Sequence, residues 1–343
     1  MKCFYPYPSI EQFRNVCKEM AQAEFAGLDS DGNPMYDRTK PKPVVVFKGT
    51  VKLHGTNAGV GQDSNGVFAQ SRTQNITPES DNAGFASFVK EKQQAFTDLF
   101  AKIKEDYSVT DETIMIYGEW AGSNIQKGVA ITNLPKSFFI FDICIITVNG
   151  EDIVREWIDI KDYASTEHNI YNIEHFPTWE MEIDFNNPAL KQNDLIDITL
   201  SVESECPVAK AFGFSGVGEG VVWKAIVKGQ RHVFKVKGEK HSVSKVKTLA
   251  NVDVEKINSI VEFVDYAVTE NRLDQAIENV FGSDSLDIKK MGDLIRWIVN
   301  DVHKEESDTL AKNNLNDKDV NKYLSDRVRK MFAKRLDNMV MNS

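Results

Sequence analysis

The chain reads as α+β, and three observations carry that reading. Short β-rich runs broken by turn residues fill most of the first 243 residues, and an aromatic stripe at helical spacing interrupts them. After about Ser244 the stripes are helical only. With 343 residues and 38.7 kDa, one large domain and a smaller partner can each bury a core.

Taken in order, Ser9-x-x-Gln12 reads as a capping box opening a helix through about Met20, with Phe13 and Val16 or Cys17 facing inward. Gly27 to Pro43 is polar, holds Gly and Pro, and reads as a loop. Val44 to Thr50, Asn57 to Gly61 and Gly66 to Ser71 read as strands, and Asn65-Gly66 is a hairpin signal between the last two. Phe88, Phe96, Leu99, Phe100 and Ile103 recur at helical spacing, which predicts one amphipathic helix from about Ser87 to Lys104. Strands follow near Thr113 to Trp120 and Ser137 to Thr147, the second ending at the turn Asn149-Gly150. Ile158 to Pro207 shows no dominant period. Val221 to Val227 and His232 to Val236 read as a hairpin across Lys228-Gly229-Gln230.

Three helical stripes occupy the C-terminal part. Val254, Ile257, Ile260, Val261, Val264 and Val268 form the first, and Leu294, Ile295, Ile298 and Val302 the second. Tyr323, Leu324, Val328 and Phe332 form the third. The expected organisation is a domain over residues 1–243 and a helical domain over 244–343, hinged near Lys240 to Leu249.

Composition narrows the functional classes. No apolar run approaches the roughly 18 residues of a membrane span, and Met1 to Pro6 lacks a signal-peptide core, so a cytoplasmic protein with no membrane partner is expected. Cys3, Cys17, Cys144 and Cys206 are far apart and form no C-x-x-C pair, which indicates neither a zinc site nor a disulfide framework. A net charge of −10 argues against coating nucleic acid with the whole surface. Between Lys224 and Lys247, however, eight cations face the single acid Glu239, a local excess of +7 that can neutralise phosphates. From Asn251 to Ser343 there are 14 basic and 18 acidic residues, net −4.

Lys52 opens the run Lys52-Leu53-His54-Gly55-Thr56-Asn57 directly after an apolar strand. A lysine at a strand mouth, followed by Gly and short polar side chains, can be desolvated into a neutral amine nucleophile. Most lysines beside a turn are solvated surface residues, so six residues alone do not define chemistry. Further segments each pair an apolar strand with a residue suited to nucleotide or phosphate chemistry: Val67 to Thr73, Ile114 to Gly122, Phe138 to Ile143, Gly218 to Lys224 and His232 to Lys237.

These six motifs, in this order, resemble the covalent nucleotidyltransferase superfamily, and within it the RNA ligase 2 family of phage-type ATP-dependent RNA ligases. The resemblance implies a nucleotidyltransferase (ATP-grasp-like ligase) domain of antiparallel sheets with flanking helices, followed by a small all-helical domain. It implies ATP as the cofactor, leaving covalent AMP on Lys52, together with Mg2+ or Mn2+. The implied partner is RNA with 5′-phosphate and 3′-hydroxyl ends, duplex or nicked, sealed by a monomer that works in RNA repair, in the host cytoplasm if phage-encoded.

Residue by residue, Lys52 matches the nucleophile, and His54, Thr56 and Asn57 match residues that position the RNA end. Arg72 matches an arginine on the AMP ribose or the RNA phosphate, and Glu119 the carboxylate that holds a ribose hydroxyl. Phe141 matches the adenine-stacking ring, with Asp142 behind it. Glu219 matches the carboxylate that binds metal, with Glu119 as a second candidate ligand, and Lys235 and Lys237 match paired phosphate-binding lysines. Two positions depart from the pattern. Val51 stands where better-known relatives carry glutamate, and Asn82-Ala83 replaces a pair of phenylalanines. DNA ligases and capping enzymes are disfavoured, because they typically carry aspartate where this chain has His54 and DNA ligases continue into an OB-fold. An inactive nucleotide- or RNA-binding module would not need Lys52.

Overall fold

A computed structural model of the chain describes residues 4–21, 24–28, 34–37, 41–150, 152–238, 260–282, 286–312, 315 and 317–341. The chain divides into two compact units. One comprises Met1–Pro188 with Ile198–Val236, and the other Ala189–Asp197 with Lys237–Ser343. The expected hinge near Lys240 to Leu249, and the stripe residues Val254 and Ile257, lie outside the described residues.

The first unit is built on β4 (Val44–Lys52), whose alternate residues separate two environments. Val45, Phe47 and Val51 are buried, whereas Val44 and Val46 are exposed and Lys48 and Lys52 partly so. On the buried face Phe47 packs against Phe234 at 5.1 Å, and Phe13 reaches the same ring at 5.0 Å. β4 lies between β12 (Thr178–Asp184) and β13 (Gly220–Val227), antiparallel to both. The sheet then continues through β14 (Gln230–Lys237) to β1 (Glu11–Gln12).

The second sheet runs in the order β10 (Asp152–Ile158), β9 (Ser137–Asn149), β8 (Thr113–Ala121), β5 (Thr56–Asp63), β6 (Gly66–Ser71), β7 (Asn75–Ile76). Its ladders along this path are antiparallel. β11 (Ile170–Asn172) adds to β9 in parallel. The first unit is thus α+β with mainly antiparallel sheets.

Several local expectations are corrected by distant contacts. Glu11 and Gln12 pair in parallel with Phe234 and Lys235, so the capping box does not form and α1 begins at Phe13 (Phe13–Ala21). The expected loop from Gly27 holds part of a hairpin, β2 (Glu24–Leu28) with β3 (Pro34–Asp37). The single helix over Ser87 to Lys104 is two, α2 (Phe85–Glu91) and α3 (Gln93–Tyr107), broken at Lys92. The break lets Phe88 meet Phe96 edge-on at 6.1 Å while Phe88 also packs on Trp120 at 4.7 Å. In the stretch without a dominant period, Met181 and Ile183 of β12 are buried between exposed Glu180 and Glu182, and α4 (Gln192–Ser204) and α5 (Pro207–Ala211) follow.

Among the described residues after 259 the α-helices are α6 (Ile260–Ala267), α7 (Glu270–Phe281), α8 (Met291–Lys312) and α9 (Asp317–Met341). Leu294, Ile298 and Val302 of the second expected stripe, and Leu324, Val328 and Phe332 of the third, are fully buried with Phe263 and Leu273. Tyr323 is exposed instead, and Val320 takes its place in the core. α7 was not expected from the sequence; Thr269 caps it by accepting from the Arg272 N–H. Among the described residues no helix is long and apolar enough to cross a membrane.

Asp142 on β9 fastens the two sheets of the first unit to each other. Its carboxylate accepts from Lys224 of β13 at 3.0 Å, from Arg231 of β14 at 2.5 Å and from the Tyr7 hydroxyl. Arg231 also lies over the Trp157 ring at 4.3 Å. Burial, then the adjacent Asp142 carboxylate, push the Tyr7 hydroxyl well above its ordinary range, so it stays a donor. Breaking a buried pair from one side strands the other charges, so Asp142→Ala should lower unfolding free energy by about 3–5 kcal/mol. Urea unfolding checks this, and an unchanged midpoint would show that the cluster holds nothing together.

Candidate active site

β4 ends at Lys52 and β5 begins at Thr56, so Leu53 to Gly55 carry the chain from one sheet to the other. Lys52 is therefore placed where the two sheets meet. In the β4–β13 ladder Gly220 lies opposite Lys52, which brings the preceding Glu219 against it. Glu219 Oε2 lies 2.6 Å from Lys52 Nζ and 3.3 Å from His54 Nδ1. The carboxylate is only 2% exposed, against 20% for each partner side chain, so it forms the floor of the group.

Glu119 approaches from β8. Between Tyr117 and Gly118 the β8–β9 register shifts: Tyr117 faces Asp142, Gly118 faces Ile140, and Phe141 is the extra residue. Glu119 Oε1 accepts the Gly55 N–H at 2.9 Å, and Gln126 donates to the Gly55 carbonyl at 3.4 Å. A side chain at position 55 would put its Cβ 2.3 Å from the Trp120 carbonyl oxygen, so only glycine fits this crossing.

Burial raises Glu119 to about 7 from an ordinary 4.5; Lys52 opposes the shift, Glu219 adds to it, and the Gly55 N–H and His54 oppose it. The two carboxylates thus repel across the site while Lys52 attracts both. Oxygen donors with surplus negative charge are the chemistry that a magnesium ion takes, and one or two protein carboxylates suffice because magnesium keeps several waters. Among the described residues no group of three or more His, Cys, Asp or Glu is arranged to hold a metal.

The turn between β13 and β14 sets where Lys235 lies. Lys228 and Gly229 both have positive φ, 50° and 78°, as a two-residue type I′ hairpin turn requires, so Val227 faces Gln230. Counting back sets Val222 opposite Lys235. Since Val222 faces Thr50, the row Thr50, Val222, Lys235 lies on the sheet face that carries Lys52. Lys237 is the last residue of β14 and shares the alternation of Lys235. Val51 points to the opposite, buried face, so no side chain at that position reaches the Lys52 side.

The remaining candidates separate. Asn57 stands opposite Glu119 in the β5–β8 ladder and shares its face, whereas Thr56 stands opposite Trp120 and takes the other. Phe141 packs edge-on against Tyr7 at 5.0 Å, and its carbonyl accepts from Lys224 at 2.6 Å. Arg72, just past β6, is exposed and forms no ion pair with the described residues. The basic run is thinner than its charge suggests, because Lys224 and Arg231 are both held by Asp142. Lys240, Lys245 and Lys247 lie outside the described residues. Gln126 was missed from sequence, since nothing local marks a glutamine in a loop as a partner of Gly55.

The RNA ligase family model matches residues 44–237, more than half of the chain, and the chain belongs to that family. Solved structures similar to it include the Naegleria gruberi RNA ligase with PPi, at 15% identity and a TM-score of 0.43. A mutant of that ligase with AMP and Mn is 13% identical with a TM-score of 0.42, and another with ATP and Mn is 14% identical at 0.38. Each comparison covers 70% of this chain and 58% of the other, so this chain spans less than two thirds of the length of those relatives.

The Glu119 environment predicts a pH signature. Its pKa in the folded state, about 7, lies above the ordinary 4.5, so its contribution to stability is full below pH 4.5 and is lost as pH rises through 7. The whole shift corresponds to ~3 kcal/mol. Glu119→Gln should flatten this decline, so the stability difference between variant and wild type should grow between pH 4.5 and 8 in urea unfolding. A difference independent of pH would contradict the assignment.

Proposed function

We propose that the protein is an ATP-dependent RNA ligase that joins 3′-hydroxyl and 5′-phosphate RNA ends at nicks or paired ends. The observation that carries this reading is the grouping of Lys52, His54, Glu119 and Glu219 at one crossing between sheets, in a chain of the RNA ligase family. Three transfers account for sealing. Lys52 Nζ attacks the α-phosphorus of ATP, forming a P–N bond as the P–O bond to pyrophosphate breaks. The RNA 5′-phosphate oxygen then takes the AMP from Lys52, and the 3′-hydroxyl finally displaces AMP to close the phosphodiester.

Held against Glu219, Lys52 is an ammonium and cannot attack. Its proton must leave Nζ, and Glu219 Oε2, 2.6 Å away, can take it. His54, on the same oxygen, can relay that proton outward and help to seat the RNA phosphate. Glu119, with one oxygen on Gly55, has the other to accept from the AMP ribose. Phe141 stacks on adenine with Tyr7 at its back. Lys235 and Lys237 neutralise phosphate charge, Arg72 serves the ribose or the RNA phosphate, and Asn57 and Thr56 contact the RNA end. Glu219 and Glu119 would hold Mg2+ or Mn2+, which supplies stabilisation of charge on the phosphoryl oxygens.

Incubation with ATP and magnesium should add one AMP to the intact mass, and Lys52→Ala should abolish the adduct. An unmodified wild type that instead took up GMP from GTP would replace this reading by a capping reaction. Lys237→Ala should melt normally, Glu219→Gln should fold with a lowered melting temperature because Lys52 loses its partner, and each should lose at least tenfold in sealing of a nicked RNA duplex. Unimpaired sealing by both would show that neither residue serves the reaction.

A further inference from the structure

The loop Asp81 to Gly84 reaches the strand that follows the nucleophile and presents an amide there. Asn82 Nδ2 donates to Thr56 Oγ1 at 3.2 Å. The residues on either side are pinned independently of that bond. The Asp81 carboxylate accepts from the Asn82 and Ala86 N–H groups, each at 2.7 Å, and from the Ser87 N–H and hydroxyl at 2.9 and 2.7 Å. The Ala83 carbonyl accepts from the Trp120 indole at 3.1 Å and from Lys136 at 2.7 Å. Ala83 itself is left-handed, with φ 53°, a conformation that a non-glycine residue keeps only when its surroundings enforce it.

The pair leaves hydrogen-bonding capacity open. The Thr56 hydroxyl, having accepted, still has its proton to donate, and Asn82 Oδ1 can still accept. Neither meets a partner among the described residues, and both side chains are partly exposed. If the amide is turned over, Thr56 donates and Asn82 keeps its N–H groups, so at least one donor and one acceptor remain either way. A phosphate oxygen would use only the donor. A ribose 2′-hydroxyl, donor and acceptor at once, uses both, and it is the group by which a protein tells RNA from DNA.

Two riboses are available, that of the nucleotide and that of the RNA strand. Thr56 and Trp120 take one face of the second sheet while Asn57 and Glu119 take the other, so the Asn82 pair does not share the face of the carboxylate assigned to the AMP ribose. We propose that Asn82 is a specificity-determining residue that, with Thr56, reads a 2′-hydroxyl of the RNA strand beside the break. This rests on the ligase reading above.

The test compares sealing of an all-RNA nicked duplex with duplexes carrying one 2′-deoxynucleotide at successive positions on each side of the nick. Wild type should seal the all-RNA duplex about tenfold faster than the duplex lacking the hydroxyl that is read. Asn82→Ala and Thr56→Val should each bring that ratio near one by slowing the all-RNA substrate, their double variant should do no more, and Thr56→Ser should retain discrimination. A residue that only supported the loop would change both rates alike. Adenylation with ATP against 2′-deoxy-ATP is the second arm, and its ratio should be unaffected in Asn82→Ala. Discrimination kept by both Asn82→Ala and Thr56→Val, or absent from wild type at every position, would overturn the proposal. So would a loss confined to the 2′-deoxy-ATP arm, which would assign the hydroxyl to the nucleotide. A wild type that takes up no AMP would instead remove the ligase reading itself.

Discussion

The contact between Lys52 and Glu219 is the constraint around which the first unit is arranged. It joins residues 167 positions apart and exists because β4 and β13 are neighbours with Gly220 opposite Lys52. A carboxylate that is 2% exposed must have partners, since an unpaired buried charge costs several kcal/mol. Lys52 and His54 both serve it. The sheet that provides this register must therefore be in place before the site exists, and its rigidity comes from the aromatic face on the other side, where Phe47, Phe13, Trp223 and Phe234 pack.

A second consequence concerns how positive charge is distributed. Lys224, Arg231 and Lys235 belong to one hairpin, yet they do different things. Asp142 takes the first two and uses them to fix one sheet to the other beneath Phe141. Lys235 lies on the face that carries Lys52, whose carboxylate partner is Glu219, in a chain of net −10. A basic run in a sequence counts charges but does not say which of them a buried carboxylate has already neutralised. Here the two that are neutralised hold the backbone at Phe141 in place, through the Lys224 bond to its carbonyl and the Asp142 carboxylate next to it.

Legibility followed locality. The strand over Val44 to Thr50, the hairpin near Lys228-Gly229-Gln230 and the Leu294, Ile298, Val302 stripe are written in adjacent residues, and the structure shows each of them, with Gln230 already in β14 and the turn reduced to Lys228-Gly229. The motifs also single out Lys52, Glu119 and Glu219, which the fold brings to one crossing between sheets. What could not be read was set by partners far along the chain. Glu11 and Gln12 form a strand only because Phe234 and Lys235 lie beside them. The extra residue at Phe141 depends on the β8–β9 register, and the break at Lys92 on which rings Phe88 and Phe96 must reach. Neither leaves a local signature.

The two departures from the family pattern gain meaning from where they stand. Val51 is on the buried face of β4, so its side chain serves the core, and its isopropyl group suits that environment better than a carboxylate would. Asn82 stands at the opposite kind of place, partly exposed and delivered to Thr56 by a loop held at Asp81 and at the Ala83 carbonyl. An amide at that place offers hydrogen bonding, which an aromatic ring does not. A group that carries both a donor and an acceptor uses both sites of the pair formed by Asn82 and Thr56, and among the groups of an RNA strand outside its bases the ribose hydroxyl is such a group.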